Sequence, residues 1–352
     1  MQVQLDSALL QEALSIISKM SPPENGNVNF QVTDRIYIHS AGQLNNCTIR
    51  IPSKPEGKCD FALPLEALKA ALKGHEKVDL LFKNTLLNIK SGRYKTSLST
   101  FDAIPIESAQ IEYDRELKLK AEQVEELRLV LANVAIKPNT FVASFIPCGI
   151  RIGKKSTFIS CFDTTRMSFA TTKAVTGDCE FVLPFDIIFL VLSSFNKTGL
   201  TMRISQSTVE VSNPLVTVRI AIPDLGKELP SLEEVIDRAS SVKEVKGTKF
   251  VVNKESISNF LDNSRAVITK ERPEIRFHSK EGKLIFQVAS TSGTVQQSMA
   301  YKGKVKFNVD GEYFEELVKK CKEDVEFILV EDSFIKCKTG TSTLVMALNQ
   351  DE

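Results

Sequence analysis

The chain has no tryptophan, and its 352 residues include three histidines, His39, His75 and His278. These have no cysteine, histidine or acidic partner at the spacing a metal site needs, so no metal centre is expected. No glycine-rich phosphate loop, dinucleotide fingerprint or nucleophile elbow is present, so no nucleotide or covalent chemistry is indicated and no cofactor is expected. Asp163 stands alone after an apolar run, where a turn or capping role suits it better than a catalytic one. The seven cysteines are scattered and include no Cys-x-x-Cys. Such usage reads as reduced thiols in a cytoplasmic protein, and makes the sequons at Asn46 and Asn196 incidental. The longest apolar stretch, 185–195, is shorter than the ~20 residues a membrane helix requires. The N-terminus opens on a strand-then-helix pattern rather than a leader. Nor is there an excess of charge: 45 basic and 44 acidic side chains leave a net +1. Residues 1–115, 116–245 and 246–352 are each nearly balanced, so no block is a basic nucleic-acid domain in bulk. Contact with an anionic polymer would have to come from charge sorted onto one face.

What the chain does have is a segment that recurs. Phe61-Ala62-Leu63-Pro64, Phe181-Val182-Leu183-Pro184 and Phe307-Asn308-Val309-Asp310 begin 120 and then 126 residues apart. Each is followed by a short apolar helix pattern, with proline expected in the first turn and Gly74 expected to end the first copy. Three alternating segments follow each helix, such as 78–80, 87–89 and 96–98 in the first copy. Period-2 alternation predicts strands with one wet and one buried face. The other half of each block repeats as well. Residues 3–20, 117–136 and 249–268 each give a short strand and an amphipathic helix, with further strands behind them. The period is too long for a solenoid and predicts a triplicated α+β domain, with boundaries at 1–115, 116–245 and 246–352. Six half-repeats place six helices on antiparallel sheets. A row of such domains has open edges at its ends, which can pair head to tail and close a ring.

On this frame three segments resemble those of the bacterial DNA polymerase III β subunit, the sliding clamp. Phe162-Asp163-Thr164-Thr165-Arg166-Met167 is similar to the family's T-D-G-H-R-L. Leu229-Pro230-Ser231-Leu232-Glu233-Glu234-Val235-Ile236 is similar to F-P-D-Y-x-x-V-L. Leu344-Val345-Met346-Ala347-Leu348 is similar to V-V-M-P-M. The resemblance spans the chain, and its motifs stand in the family's order. It implies a non-catalytic ring of two chains around duplex DNA, with helices lining the hole, that tethers a DNA polymerase and other replication proteins. An ATP-dependent clamp loader would open it. Thr164-Thr165 for Gly-His, Glu234 where a base is common and Ala347 for proline mark a divergent member, of the kind a phage or mobile element would carry.

The resemblance also assigns residues. A partner-peptide pocket would use Arg166, Met167, Pro230, Val235, Leu344, Val345, Met346 and Leu348; methionine and aliphatic side chains suit a surface that takes several peptides. Leu344 and Met346 fall on one strand face and Val345 and Ala347 on the other, so a second reading makes part of this set ordinary core. The acids near the pocket point to a peptide with a basic residue. The DNA-facing set is Lys69, Lys73, Arg128, Lys137, Lys197, Lys254, Arg265, Lys319, Lys320 and Lys322, on or just after helix patterns; sparse phosphate attraction suffices for sliding. The alternative is a solvated helix face. The dimer contact would involve Leu98, Val267 and Ile268, the last two otherwise finishing a core. The competing function is a clamp-like scaffold that binds proteins without encircling DNA. An enzyme would need a cluster of titratable residues that the sequence does not offer.

Overall fold

The same run of elements, β-α-β-β-β-β-α-β-β-β, occurs three times in the computed structural model, which describes residues 1–352 except 43–44, 105–110, 138–144, 196, 227–228, 266, 268–273, 291–292, 322, 331–332, 340 and 350–352. The first pass is β1 (Gln2–Asp6), α1 (Ser7–Met20), β2 (Asn27–Val32), β3 (Ile36–Ala41), β4 (Asn45–Ile51), β5 (Cys59–Pro64), α2 (Leu65–Leu72), β6 (Lys77–Lys83), β7 (Leu86–Ser91) and β8 (Tyr94–Ser99). The second is β9 (Arg115–Leu119), α3 (Ala121–Val134), β10 (Pro147–Ile152), β11 (Thr157–Phe162), β12 (Arg166–Thr172), β13 (Cys179–Pro184), α4 (Phe185–Phe195), β14 (Leu200–Ile204), β15 (Thr208–Ser212) and β16 (Val216–Ala221). A further helix, α5 (Leu232–Glu244), precedes the third: β17 (Thr248–Val252), α6 (Lys254–Ser264), β18 (Glu274–Lys280), β19 (Lys283–Ser290), β20 (Gly293–Ala300), β21 (Lys306–Asp310), α7 (Gly311–Lys320), β22 (Val325–Val330), β23 (Phe334–Thr339) and β24 (Ser342–Ala347).

The chain falls into two compact units, Met1–Glu126 with Ile187–Pro223, and Leu127–Asp186 with Asp224–Glu352. Each holds one four-stranded and one eight-stranded antiparallel sheet. In the first unit the orders are β1-β6-β7-β8 and β5-β2-β3-β4-β16-β15-β14-β9. In the second they are β20-β19-β18-β21 and β13-β10-β11-β12-β24-β23-β22-β17. The middle pass contributes strands to both eight-stranded sheets.

Local sequence explains the elements. Asp6 caps α1 by accepting from the Ala8 N–H, and Leu10, Ala13, Leu14 and Ile17 bury one helix face. Asp310 does the same for α7, accepting from Glu312 and Tyr313. Pro64, expected inside the first turn of α2, is instead the residue before it, with φ −61° and ψ 125°; a proline there offers no side-chain cap. After α2, Gly74 turns the chain at φ +81°, a conformation only glycine adopts without strain. The recurring phenylalanines share a register: Phe30 faces Phe61, Ile150 faces Phe181 and Phe277 faces Phe307. Their rings form the cores, Phe61 stacking on Phe30 at 5.0 Å and Phe277 on Phe307 at 4.6 Å.

The helix not foreseen is α5. Ser231 and Glu234 cap it reciprocally, a capping box. It lays Leu232, Val235, Ala239 and Val242 on Phe162, Met167 and Phe169 of the sheet, making an additional apolar layer. Gly149 in β10 permits this approach, since a Cβ there would meet Leu232 Cδ1 at 2.4 Å. At the other end, the buried Lys336 ammonium donates to the Val242 and Val245 carbonyls and satisfies the helix C-terminus.

Candidate functional site

A cavity of about 470 Å³ opens between α5, the β11–β12 turn and the last strands. Its apolar walls include Phe162, Met167, Val235, Phe334 and Val345, with Pro230 and Ala347 beside them. Met167 and Val345 lie directly opposite each other across the β12–β24 pairing, which is why one side chain from each strand reaches the cavity. Arg238, Asp237, Thr164, Thr165, Ser241 and Ser333 supply its polar groups.

Five members of the expected pocket set therefore line this cavity: Arg166, Met167, Pro230, Val235 and Val345. Leu344 and Met346 do not. They point to the opposite face of β24 and are buried in the core, because consecutive residues of a strand point to opposite faces. Leu348 lies past the end of β24, holds the Ser333 carbonyl through its backbone N–H at 3.1 Å, and is not part of the cavity wall. The lining residues outside the expected set are Phe162, Asp163, Thr164, Thr165, Asp237, Arg238, Ser241, Val242, Ser333, Phe334 and Ala347. Asp237, Arg238, Ser241 and Val242 are consequences of α5: once Ser231-x-x-Glu234 starts a helix, 237 and 241, and 238 and 242, stand one turn apart. Glu234, expected to select a basic peptide, has its carboxylate occupied by the Ser231 N–H at 2.7 Å and hydroxyl at 3.1 Å. The backbone N–H first and the hydroxyl second hold that carboxyl below its usual pKa.

Arg166 is present in the wall but is not a free cation. Its side chain is 5% exposed. Asp163 Oδ2 takes its Nε and Nη2 at 2.9 and 2.6 Å, while Asp163 Oδ1 accepts the Thr165 and Arg166 backbone N–H groups and builds the turn. Glu316 of α7 accepts from Nη1 at 3.0 Å, the Lys137 carbonyl accepts from Nη2 at 2.7 Å, and the Tyr313 ring lies 3.6 Å from the guanidinium carbon. The residue ties β12 to α7 and to the chain after α3. That structural load leaves little for a ligand.

The expected DNA-facing cations sit in different settings. Lys73 and Lys197 are exposed, Lys137 is exposed, and Lys254 is half-buried at the start of α6. Lys69 donates to Ser18 and Glu66, both at 2.9 Å. Arg128 is half-buried on α3. Arg265 and Lys319 converge on Glu315, at 2.9 and 2.5 Å. Lys320 departs from the expectation: its Nζ is buried without a hydrogen bond among the described residues, 3.6 Å from Glu316, and burial lowers its pKa. Lys322 and Ile268 lie outside the described residues. Leu98 is half-buried on β8, an edge strand, and Val267 is half-buried with its carbonyl accepting from Ser290 Oγ at 2.7 Å.

Among the described residues no cluster of three or more histidine, cysteine or acidic side chains could hold a metal ion. No helix there is long and apolar enough to cross a membrane.

Solved structures give the decisive comparison. Over the whole of both chains, the fold matches a DNA polymerase sliding clamp from Pseudomonas aeruginosa at TM-score 0.82 and 14% identity. It matches the DNA polymerase III β subunit from Thermotoga maritima at 0.80 and 17%, and that from Borrelia burgdorferi at 0.80 and 12%, each again over both full chains. The chain has the sliding-clamp fold. No family model and no curated protein matches the sequence, so the likeness lies in the three-dimensional arrangement, at identities where residue-by-residue similarity has faded.

Proposed function

We propose that this protein is a sliding clamp, a non-catalytic processivity factor of three domains, 1–115, 116–245 and 246–352. Two copies join head to tail around duplex DNA and tether a DNA polymerase and other replication proteins through the α5 cavity, after an ATP-dependent loader opens the ring. The observation that carries this reading is the set of sheet edges. Two joints are formed within the chain, β4 with β16 and β12 with β24, and they share one register: Val218 faces Cys47 as Leu344 faces Ser168. The strands in the same places of the repeat that remain at sheet edges are β8 and β20. One belongs to each end of the chain, so a β8–β20 joint between copies continues the pattern and covers both edges.

Lys73, Lys137, Lys197 and Lys254 are the cations this reading assigns to phosphate attraction. The test is retention on circular against linearised DNA after loading, with solution mass taken on the same sample. Retention on circles and escape from linear ends, at the mass of two chains, supports encirclement. A scaffold that never encircles DNA is favoured by one observation, the pairing of Arg265 and Lys319 with Glu315 instead of open solvent. Equal behaviour on both DNAs would select it.

A further inference from the structure

Four of the free thiols meet in pairs inside the second unit. Cys148 faces Cys161 across the β10–β11 pairing, and their side chains share a hydrogen bond. Cys321, directly after α7, meets Cys337 of β23. The Cys337 thiol donates to Cys321 Sγ, and Cys321 in turn donates to the Leu317 carbonyl at 3.3 Å. Both are buried, at 5% and 3% exposure. The repeat does not require sulfur here. The hairpin register that sets Cys337 three residues after Phe334 sets Ile89 and Val211 in the same place of the other two passes, and both are buried. Where α7 runs into Cys321, α4 ends on the buried Phe195.

The two pairs differ in their surroundings. Two cations act on Cys321: Lys254 at the start of α6, and Lys320, the last residue of α7. The Lys320 Nζ lies 3.6 Å from Glu316 and has no hydrogen bond among the described residues. The hydrogen bond from Cys337 is the main cause that holds the Cys321 thiol below its ordinary pKa; the cations add to it and burial opposes it. The same hydrogen bond, with burial, pushes Cys337 up. Cys161 is pushed well up, first by burial and then by the hydrogen bond with Cys148, against a smaller pull from Lys320. The thiolate is the nucleophile in sulfur oxidation, so only the Cys321 pair sets a reactive sulfur in contact with a second one. Cys321 also stands at a helix end, where local opening costs least.

We propose that Cys321 and Cys337 are a reversible dithiol that hydroperoxides close to a disulfide, pinning the end of α7 to β23. With hydrogen peroxide, the Cys321 sulfur attacks one oxygen, the O–O bond breaks, and the departing oxygen takes the Cys321 proton and leaves as water. The Cys337 sulfur then attacks the Cys321 sulfenic acid. The S–S bond forms, the S–O bond breaks, and the hydroxyl leaves with the Cys337 proton as a second water. The thiols lose two electrons and the peroxide gains them. An external dithiol reverses the step by exchange. The bond fixes the last turn of the helix whose Glu316 holds Arg166 in the cavity wall. The inference stands independently of the clamp reading.

The test treats the full chain with hydrogen peroxide, alkylates the remaining thiols and maps the peptides by mass. A Cys321–Cys337 cross-link that dithiothreitol removes is expected, forming about tenfold faster than Cys59 oxidises, although Cys59 is the more exposed thiol. Amide exchange over residues 317–320 should slow on oxidation. In Cys337→Ser, Cys321 should stop at the sulfenic acid and be trapped by dimedone; in Cys321→Ser, Cys337 should stay reduced. Oxidation of Cys59 and Cys179 ahead of Cys321, an equally fast Cys148–Cys161 cross-link, or a Cys321–Cys337 link that forms only in denaturant would overturn the proposal, and these outcomes are read on the unmodified chain. A sulfenic acid on Cys337 in the Cys321→Ser variant would overturn the order of attack.

Discussion

Cysteines placed at Thr96 and Val295 are expected to cross-link two copies of the chain in a defined register. The register follows from the two joints already formed. Hairpin pairing fixes the correspondence along the third strand of each second half-repeat, since Ser99 faces Leu86, Ala221 faces Thr208 and Ala347 faces Phe334. Thr96 therefore holds the place of Val218 and Leu344. On the partner strands Ile51 faces Ile36, Thr172 faces Thr157 and Met299 faces Leu284, so Val295 holds the place of Cys47 and Ser168. Carrying the common register over puts Thr96 opposite Val295, Leu98 opposite Gly293 and Tyr94 opposite Gln297. Directly opposite residues of an antiparallel pair have Cα atoms about 4.5–5.5 Å apart. A disulfide needs about 4.4–6.8 Å with converging Cβ vectors, so the pair is bridgeable without backbone movement.

The informative comparison is the adjacent position. Ser97→Cys paired with Val295→Cys shifts one partner by a residue and sends its side chain to the other face of the sheet. Oxidation of the Thr96/Val295 double variant should give a dimer on a non-reducing gel at a rate well above that of the Ser97/Val295 variant. Five of the seven natural cysteines are buried, and Cys59 and Cys179 are half-buried; serine at those two removes the main background. Equal cross-linking of both variants, or a species that stays monomeric at every concentration tried, would refute the joint.

Other consequences are reachable with stability measurements. Glu316→Ala removes one of two carboxylates from a buried guanidinium and the acceptor of the Lys137 N–H; a loss of about 2–4 kcal/mol in denaturant unfolding is expected, and a loss near zero would show the network to be dispensable. Ser231→Ala breaks the capping box of α5 and should cost about 1 kcal/mol, with weaker peptide binding at the cavity as the accompanying readout. His39 donates or accepts at Thr48 through Nδ1 at 2.8 Å, while its Nε2 is buried without a described partner. Burial is the main cause and lowers its pKa from 6.5 to about 4, against a smaller upward pull from Asp60. The unfolded chain then binds the extra proton first, so stability is full above the unfolded value of 6.5 and falls as pH drops from there towards about 4. The loss is on the order of 1–3 kcal/mol, discounted for the ring's partial exposure. His39→Gln should flatten that interval of the pH–stability curve, and an unchanged slope would count against the assignment.

Much of the architecture was legible because it is written in two periodicities. The three phenylalanine-led strands, the helices behind them and the alternating segments fell where period-2 and period-3.6 patterns put them. The helix α5 escaped because it belongs to no half-repeat; its one clear mark was the Ser231-x-x-Glu234 box. Five of the eight residues expected in the pocket line the cavity, for a related reason. Motif resemblance selects consecutive residues, 344 to 348, whereas a strand shows a cavity only alternate ones, and here Val345 and Ala347 are those. The cations resisted prediction more fundamentally. Helical spacing identifies the buried face, but Arg265 and Lys319 meet at Glu315 through a tertiary contact that no local pattern encodes, and Lys320 turns inward beside Glu316.

The two joints within the chain differ at one place from the one proposed between copies, and the difference bears on how a ring of this kind would open. Where β16 meets β4, Asn45 lies opposite Ile220, and its buried side chain donates to the Met20 carbonyl at the end of α1. Where β24 meets β12, Arg166 lies opposite Met346 and donates to the Lys137 carbonyl beyond the end of α3, with Asp163 and Glu316 neutralising it. Both side chains tie the joint strand to the helix that packs on it. The corresponding residue of β20 is Gly293, which has no side chain to make such a tie. A joint with no buried polar tie separates more readily than the other two. On the clamp reading that is the joint between copies, the one a loader would have to part, and the two reinforced joints are those that hold each chain together while it does.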